Sequence, residues 1–434
     1  MSNASLARYE VYKDSGVTWL EEVPGHWTVG KLKDIAFYQE GPGIMADDFQ
    51  EEGVPLIRIS GMKGAIVSLD GCNFLDPKKV SRKWPHFKLK LGELLVSASA
   101  TTGIAAKVSE SVVGAIPYTG LIRFKPRSRL CLDYLQYFLT ANVFTCQIDL
   151  QKSGTTIQHY GPTHLGRILA VLPPLPEQLA IAAYLDNKTA QIDRKIDLLS
   201  QKTSQYGKLK QSLINETVTR GLDKSVPMKD SGVEWIGEVP AHWEVTAVTN
   251  ITNTVSIKNH PKEELLSVYR DYGVIIKSTR DDNHNKAGAN LSNYKLVESG
   301  YLVINKMKAW QGSLGVSEFR GIVSPAYITC KTDKRIVERS YLHHLLRCRN
   351  YINEYNRLSY GVRVDQWDMR YDDFKYVPVL LPPMEEQKTI ANYLDEKTAH
   401  IDRIVATINS QIDKLKELRK ALINDVVTGK IKVA

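Results

Sequence analysis

The sequence lacks the features that mark membrane-spanning, disulfide-bonded and zinc-binding proteins. None of its apolar stretches approaches the ~20 residues that a membrane span requires, and its first ten residues contain no apolar core of a signal peptide. Its five cysteines are an odd number, and no two of them have Cys-x-x-Cys spacing. We therefore expect free thiols in a reducing cytoplasm, and no contact with a membrane.

Motifs for several kinds of catalysis are also missing. The sequence has no Gly-x-x-x-x-Gly-Lys-Ser/Thr phosphate loop and no Asn-Pro-Pro-aromatic motif of amino-methyltransferases. Two Asp-x-Lys pairs, at Asp186 and Asp395, resemble half of a nuclease motif, but no partner carboxylate on a predicted strand accompanies either. The ten histidines show no metal-ligand spacing, and we interpret His26 and His242 as packed framework residues. We predict that the chain is not itself an enzyme.

What the sequence does contain is a tandem duplication. The segment Lys13–Trp27 returns as Lys229–Trp243 with 11 of 15 positions identical, and 172–219 returns as 381–428 with 22 of 48 identical. A period of about 210 residues is too long for a solenoid repeat, so a whole folding unit has been duplicated. Between the matched segments the two copies diverge. Matched framework segments with divergent interiors between them are typical of two domains that share one fold and recognise different targets.

The second repeated segment predicts two long helices. Its apolar residues recur at alternating steps of three and four, which is typical of a coiled-coil seam. Gly221 and Gly429 follow the last periodic residues, where helices commonly end. Each helix would span roughly 40 residues and so roughly 60 Å, and within the chain only the other copy offers a partner of matching length. We predict that the two helices pack antiparallel with pseudo-twofold symmetry and that one α/β domain lies at each end.

The predicted fold is therefore α+β, with two α/β domains separated by two long antiparallel coiled-coil helices. We expect the domains to span 1–171 and 222–380, each followed by one long helix, in 172–221 and 381–434. The divergent interiors indicate short strands and helices. Strands are predicted over Val54–Ile59, Leu94–Ala98, Gly120–Phe124, Tyr301–Asn305 and Ala326–Lys331. Helices are predicted over Leu132–Cys146 and Tyr341–Tyr355.

The surplus of positive over negative charge is confined to the divergent interiors. Residues 28–171 hold 17 Lys and Arg against 12 Asp and Glu, residues 244–380 hold 20 against 15, and the rest of the chain holds 20 against 21. Neutralising phosphates requires such a surplus, so we predict that both interiors bind DNA. For any single candidate a solvated surface position is an equal alternative. The candidates are Lys78, Lys79, Arg82, Lys83, Thr155, Thr156, Gln158, His159, Lys306, Lys308, Trp310, Gln311, Arg363 and Gln366.

The repeated motifs resemble those of a known family. Two copies of Leu-Pro-Pro-Leu/Met-x-Glu-Gln lead to Tyr-Leu-Asp-x-Lys-Thr-Ala-x-Ile-Asp, and Lys-Asp-Ser-Gly-Val-x-Trp-x-x-x-Val-Pro-x-His-Trp occurs twice. These resemble the conserved regions of type I restriction-modification specificity subunits. The resemblance implies that each interior is a target recognition domain reading one half of an asymmetric, bipartite site in double-stranded DNA. It also implies that the helices set the spacer between the halves and dock two modification subunits.

The same resemblance places the chemistry on partner chains. The modification subunits would bind S-adenosylmethionine and methylate adenine, and restriction subunits with ATP and Mg would complete the nuclease. This chain would then bind no cofactor of its own. The alternative interpretation is a stand-alone DNA-binding regulator that dimerises through its long helices, and association with a methyltransferase subunit distinguishes the two. The family's DNA-contacting residues are not carried over, because recognition domains diverge.

Overall fold

The computed structural model describes residues 7–17, 20–98, 104–152, 160–280, 290–361 and 367–433. The chain forms two compact units, the first of residues 1–199 and 410–434 and the second of residues 200–409. Each unit contains one divergent interior, one copy of the repeated Lys-Asp-Ser-Gly-Val segment and one part of each long helix. No helix among the described residues is both long and apolar enough to cross a membrane.

The two long helices form where the repeat predicts them. The first long helix spans Leu175–Arg220 and the second long helix spans Met384–Val427. Each ends within two residues of a glycine in the left-handed region, Gly221 at φ 74° and Gly429 at φ 77°. Glycine adopts this conformation without the steric penalty that a Cβ brings, which is why it commonly terminates helices.

Within each unit the two helix segments pair antiparallel along the predicted seam. In the first unit Ile181 shares a buried cluster with Val426, and further along Asp193 Oδ1 lies 3.0 Å from Arg419 Nε. In the second unit Lys210 Nζ lies 2.7 Å from a carboxylate oxygen of Asp402. The predicted seam residues are buried or half-buried. They are Ile192, Ile196, Leu199, Tyr206, Leu213, Ile401, Val405, Ile408, Ile412, Leu415 and Leu422.

The first unit contains two four-stranded sheets among its described residues. The small sheet has the order Ile116–Pro117, Val54–Ile57, Asn73–Leu75, Phe49–Gln50. The central sheet has the order Ala36–Glu40, Leu121–Pro126, Leu94–Ser97, Ala105–Lys107. Two strand pairs complete the unit, Tyr12–Asp14 with Glu22–Pro24 and Thr28–Lys31 with Leu169–Leu172. The short helices are Leu32–Ile35, Pro77–Lys83, Leu132–Thr140, Asn142–Lys152 and Pro162–Leu165.

The described residues of the second unit repeat the central sheet but do not form a second four-stranded sheet. Its central sheet has the order Thr252–Thr254, Ile328–Thr332, Leu302–Ile304, Leu314–Val316. The framework pairs are Met228–Asp230 with Glu238–Pro240 and Glu244–Ala247 with Pro378–Leu381. The remaining pairs are Leu266–Tyr269 with Gly273–Ile276, Lys295–Val297 with Gly321–Val323, and Ser359–Tyr360 with Asp368–Met369. The short helices are Val248–Ile251, Arg339–Arg347, Arg349–Leu358 and Tyr371–Phe374.

The five predicted strands are confirmed with ends shifted by up to two residues, but both predicted interior helices are wrong in one respect. Each is two helices, separated by a single extended residue, Ala141 in the first unit and Cys348 in the second. The helix after each break begins against an asparagine from a long helix: Asn424 Oδ1 accepts the amide of Val143 at 2.9 Å. In the second unit Asn215 Oδ1 accepts the amide of Asn350 at 3.3 Å. A residue distant in sequence thus caps the start of the second helix at each break.

Candidate nucleic-acid interface

In the first unit, a buried carboxylate ties the repeated His-Trp pair to the start of the first long helix. Glu177 Oε2 lies 2.8 Å from His26 Nε2 and accepts the indole N–H of Trp27 at 3.0 Å. Its other oxygen accepts the hydroxyl of Tyr9. Burial and the Glu177 carboxylate both raise the pKa of Tyr9, so the hydroxyl stays protonated as a donor. Three donors thus satisfy the buried carboxylate.

The second unit repeats the histidine and tryptophan contacts of this arrangement. Glu386 Oε2 lies 2.7 Å from His242 Nε2, and Glu386 Oε1 accepts the indole N–H of Trp243 at 3.1 Å. Both tryptophans are fully buried. Each histidine therefore contacts a framework carboxylate, as predicted, but its side chain is exposed rather than packed, 52% for His26 and 43% for His242.

The glutamine that follows each carboxylate bridges helix and recognition interior. Gln178 is fully buried and joins three backbone groups at 2.8–3.0 Å, and Gln387 is almost as deeply buried and does the same over 2.8–3.0 Å. Two of the three partners of each glutamine precede an interior helix, and the third lies in the double proline. The Glu-Gln pair of the motif therefore fixes each interior to one helix start.

Four of the predicted DNA contacts lie on the short helix Pro77–Lys83: Lys78, Lys79, Arg82 and Lys83. Lys79 forms an ion pair with Asp48, and its Nζ lies 5.8 Å from the ring centroid of Trp84. The ammonium group of Lys79 is therefore already paired within the domain and is a weaker candidate for a DNA contact. The other three side chains are exposed and free to meet phosphates.

Four more lie in the 3-10 turn Lys306–Gln311 of the second unit: Lys306, Lys308, Trp310 and Gln311. Lys306 Nζ lies 2.9 Å from Asp368 Oδ2, and the ring of Trp310 packs at 5.6 Å from that of Trp367. Lys308 is exposed. The turn therefore uses part of its polar surface internally and presents Lys308 outward.

The other six predicted contacts lie outside the described residues and remain predictions: Thr155, Thr156, Gln158, His159, Arg363 and Gln366. The structure brings the described candidates into one group per unit.

Sequence reasoning missed one arginine in each interior that is stacked on two aromatic rings. The guanidinium of Arg58 lies 4.4 Å from the ring centroid of Tyr118 and 5.8 Å from that of Phe49. In the second unit Arg280 lies 4.9 and 5.4 Å from two tyrosine rings. Stacked arginines are typical of planar, bidentate recognition. No local signal marks Arg58, because Tyr118 reaches it from a distant strand.

The described residues offer no metal centre and no activated thiol. No group of three or more His, Cys, Asp or Glu among them is placed to hold a metal ion. Burial raises the pKa of Cys330 to about 12 and that of Cys348 to about 11. Both thiols are therefore protonated at neutral pH and poor nucleophiles.

Two segments of the chain, 24–205 and 240–414, match the model of the type I restriction modification DNA specificity domain. Together they cover most of both units. The chain belongs to the family of type I restriction-modification specificity subunits.

Curated members of this family match it along nearly their whole length. The MjaVIII specificity subunit of Methanocaldococcus jannaschii is 23% identical, with 95% of this chain and 94% of the relative covered. The EcoKI specificity subunit of Escherichia coli is 19% identical, over 94% and 90%. The family assignment agrees with the repeated framework and with two recognition domains of unlike sequence.

Solved structures share the fold. A chain from a study of complex assembly and conformational transition of the type I R-M system matches with a TM-score of 0.67 at 16% identity, covering 93% of this specificity subunit and 98% of that chain. The HsdS subunit from Thermoanaerobacter tengcongensis matches with a TM-score of 0.52 at 18% identity, over 94% and 98%. At these identities the likeness concerns the fold.

Proposed function

We propose that this chain selects the DNA sequence on which a type I restriction-modification complex acts, by reading a bipartite site whose two halves differ. The observation that supports this most directly is the contrast within the duplication. The histidine and tryptophan contacts of Glu177 recur at Glu386, whereas the interiors differ in sequence and, over the described residues, in strand arrangement. Two unlike readers on matching frameworks recognise two unlike half-sites.

The proposed partners are double-stranded DNA, two modification subunits and restriction subunits. The positive surplus of both interiors favours phosphate contacts. The long helices carry balanced charge, which suits a surface for protein, and the duplicated framework offers the same contacts twice, which suits two copies of one partner. S-adenosylmethionine would then lie on the modification subunits, which methylate adenine, and ATP with Mg on the restriction subunits.

The test is to express the chain with its modification subunit and to sequence methylation across a genome. We expect adenine methylation at one motif with two unlike halves and an unspecified gap. The purified chain alone, incubated with labelled S-adenosylmethionine and DNA, should transfer no methyl group. A complex that methylates no bipartite motif, or methyl transfer by the chain alone, would contradict the proposal.

We further propose that the paired helices set the length of the gap. Four residues inserted after Ser200 add about one helical turn and ~6 Å, close to two base pairs at ~3.4 Å each. We expect the motif to keep both halves and to widen its gap by about one or two base pairs. An active variant with an unchanged gap would show that other contacts fix the spacing.

A further inference from the structure

The ends of three strands meet at one edge of the small sheet in the first unit. Arg58 directly follows the strand Val54–Ile57, and Tyr118 directly follows the parallel strand Ile116–Pro117. Asn73 begins the neighbouring strand, which runs antiparallel to Val54–Ile57. Because parallel strands end at the same edge and an antiparallel strand begins there, the topology brings these three side chains together.

The guanidinium of Arg58 is held in a defined plane. It lies 4.4 Å from the ring centroid of Tyr118 and 5.8 Å from that of Phe49, and the two rings pack edge to face with centroids 6.4 Å apart. Its Nη1 donates to Asn73 Oδ1 at 2.7 Å. Stacking and a hydrogen bond together limit the rotamers of a side chain that is otherwise highly flexible.

A second arginine of the same unit shows what a structural role looks like. Arg123 is 7% exposed, its guanidinium donates to the backbone carbonyls of Lys88 and His86 at 3.0 Å each, and Glu93 lies 3.8 Å away. Arg58 is half-buried, and among the described residues its polar partner is the neutral Asn73 rather than Asp or Glu. Its charge and several of its five N–H donors are therefore available to a ligand.

The surroundings of Arg58 fit DNA. Phe49 and Tyr118 pack on the same small hydrophobic cluster as Val80, which lies on the basic helix Pro77–Lys83. That helix exposes three cations that suit phosphates. Beside Arg58, the apolar side chain of Ile59 is 44% exposed. One small substructure thus combines backbone-gripping cations with a pre-oriented arginine.

We propose that Arg58 reads a guanine in the half-site recognised by the first unit, and that Tyr118 and Asn73 position it. An arginine fork pairs two donors with O6 and N7 of guanine in the major groove, which no other base offers as a pair of acceptors. The inference rests on the proposed function and supplies one of its reading residues.

The test uses Arg58→Lys in the complex with modification subunits, acting on a DNA library randomised across the motif. Lysine keeps the charge but loses the planar fork. At one guanine of the first half-site we expect discrimination to fall by about tenfold to a hundredfold, while the second half-site keeps its preference. Arg129→Lys, an exposed arginine of the same unit, is the matched control and should leave both halves unchanged.

A second pair of variants tests the positioning. Tyr118→Phe keeps the ring beneath Arg58 and should preserve the motif, whereas Tyr118→Leu removes it and should relax the same guanine position. If Arg58→Lys left the motif unchanged, or weakened both halves equally with a lower melting temperature, Arg58 would be a structural brace and the proposal would be overturned. A wild-type complex with no bipartite motif would instead overturn the proposed function, and this proposal with it.

Discussion

The two units differ least where each interior meets a long helix and most at the edge of each recognition domain. Glu177 and Glu386 each hold a His-Trp pair, and Gln178 and Gln387 each bind three backbone groups. The small sheet of the first unit, by contrast, has four strands, and the described residues of the second unit form separate strand pairs in the comparable region. The two copies therefore share the contacts that anchor each interior to a long helix and differ in the recognition surface.

An intermediate case lies between these extremes. Asp186 of the first long helix accepts the hydroxyl of Tyr137 at 2.6 Å, and Asp395 of the second lies 2.7 Å from His344 Nε2. The hydrogen bond with His344 lowers the pKa of Asp395. The aspartate is thus repeated, but its partner changes from a tyrosine hydroxyl to a histidine ring.

The largest expected effect is loss of a framework tryptophan. Trp27→Ala and Trp243→Ala each remove a fully buried ring and one of the donors to a framework carboxylate. We expect each to cost about 3–5 kcal/mol of unfolding free energy. Hydrogen exchange should show protection lost mainly in the unit that carries the change. Equal loss in both units from either variant would mean that the frameworks are not independent anchors.

The buried glutamines should have the next largest effect. Gln178→Ala and Gln387→Ala each leave buried backbone groups without a hydrogen-bond partner. We expect each unpaired group to lower the free energy of unfolding by about 1–3 kcal/mol. Denaturant titration of both variants checks whether the costs agree, as the matching contacts require. A cost several times larger in one unit would show that equal geometry does not give equal energy here.

Acid should destabilise the second unit more than the first. Burial and the nearby Arg347 lower the pKa of His343 from 6.5 to about 3, and His344 acts in the same direction. The unfolded chain therefore binds the proton more readily between these values, so stability present above pH 6.5 is lost as pH falls toward 3. We expect a loss of up to ~1.4 kcal/mol per pH unit.

The matched variant is His343→Gln, since the first unit has Gln136 at the equivalent position. In this variant the unfolding free energy of the second unit should depend less on pH between 6.5 and 5. Hydrogen exchange measured across this pH range checks the change. An unchanged slope would assign the acid sensitivity to other groups.

The smallest effect should come from the ion pairs between the long helices. Lys210–Asp402 and Arg419–Asp193 are both exposed to solvent. Replacing either cation with Met should change the unfolding free energy by no more than ~1 kcal/mol, because exposed pairs are well screened. Comparing 0.1 M with about 1 M salt checks this, since a pair that matters should weaken with a shorter screening length.

The periodic parts of the fold could be predicted from the sequence, because apolar spacing and terminal glycines are local signals. The break at Ala141 could not, because the cap for the next helix comes from Asn424, far along the chain. Asn215 and Asn424 do occupy equivalent positions in the repeat, and this repeated asparagine near each helix end is the one sequence signal for the break.

Less of the candidate DNA-binding site than of the fold could be predicted from the sequence. The cluster of Lys and Arg at 78–83 could be recognised in the sequence, but neither its helix nor the ion pair between Lys79 and Asp48 could. Arg58 could not be identified from the sequence, because a single arginine after a strand is common and its aromatic partners meet it only through the sheet. Residues that act through long-range stacking leave no pattern along the chain.

The central claim is that each unit reads its own half of the DNA site. The most direct test replaces residues 28–171 with the first interior of another family member and sequences the methylated motif of the resulting complex. We predict that one half of the motif changes to that of the donor while the other half is retained. A motif altered in both halves, or in neither, would contradict the account.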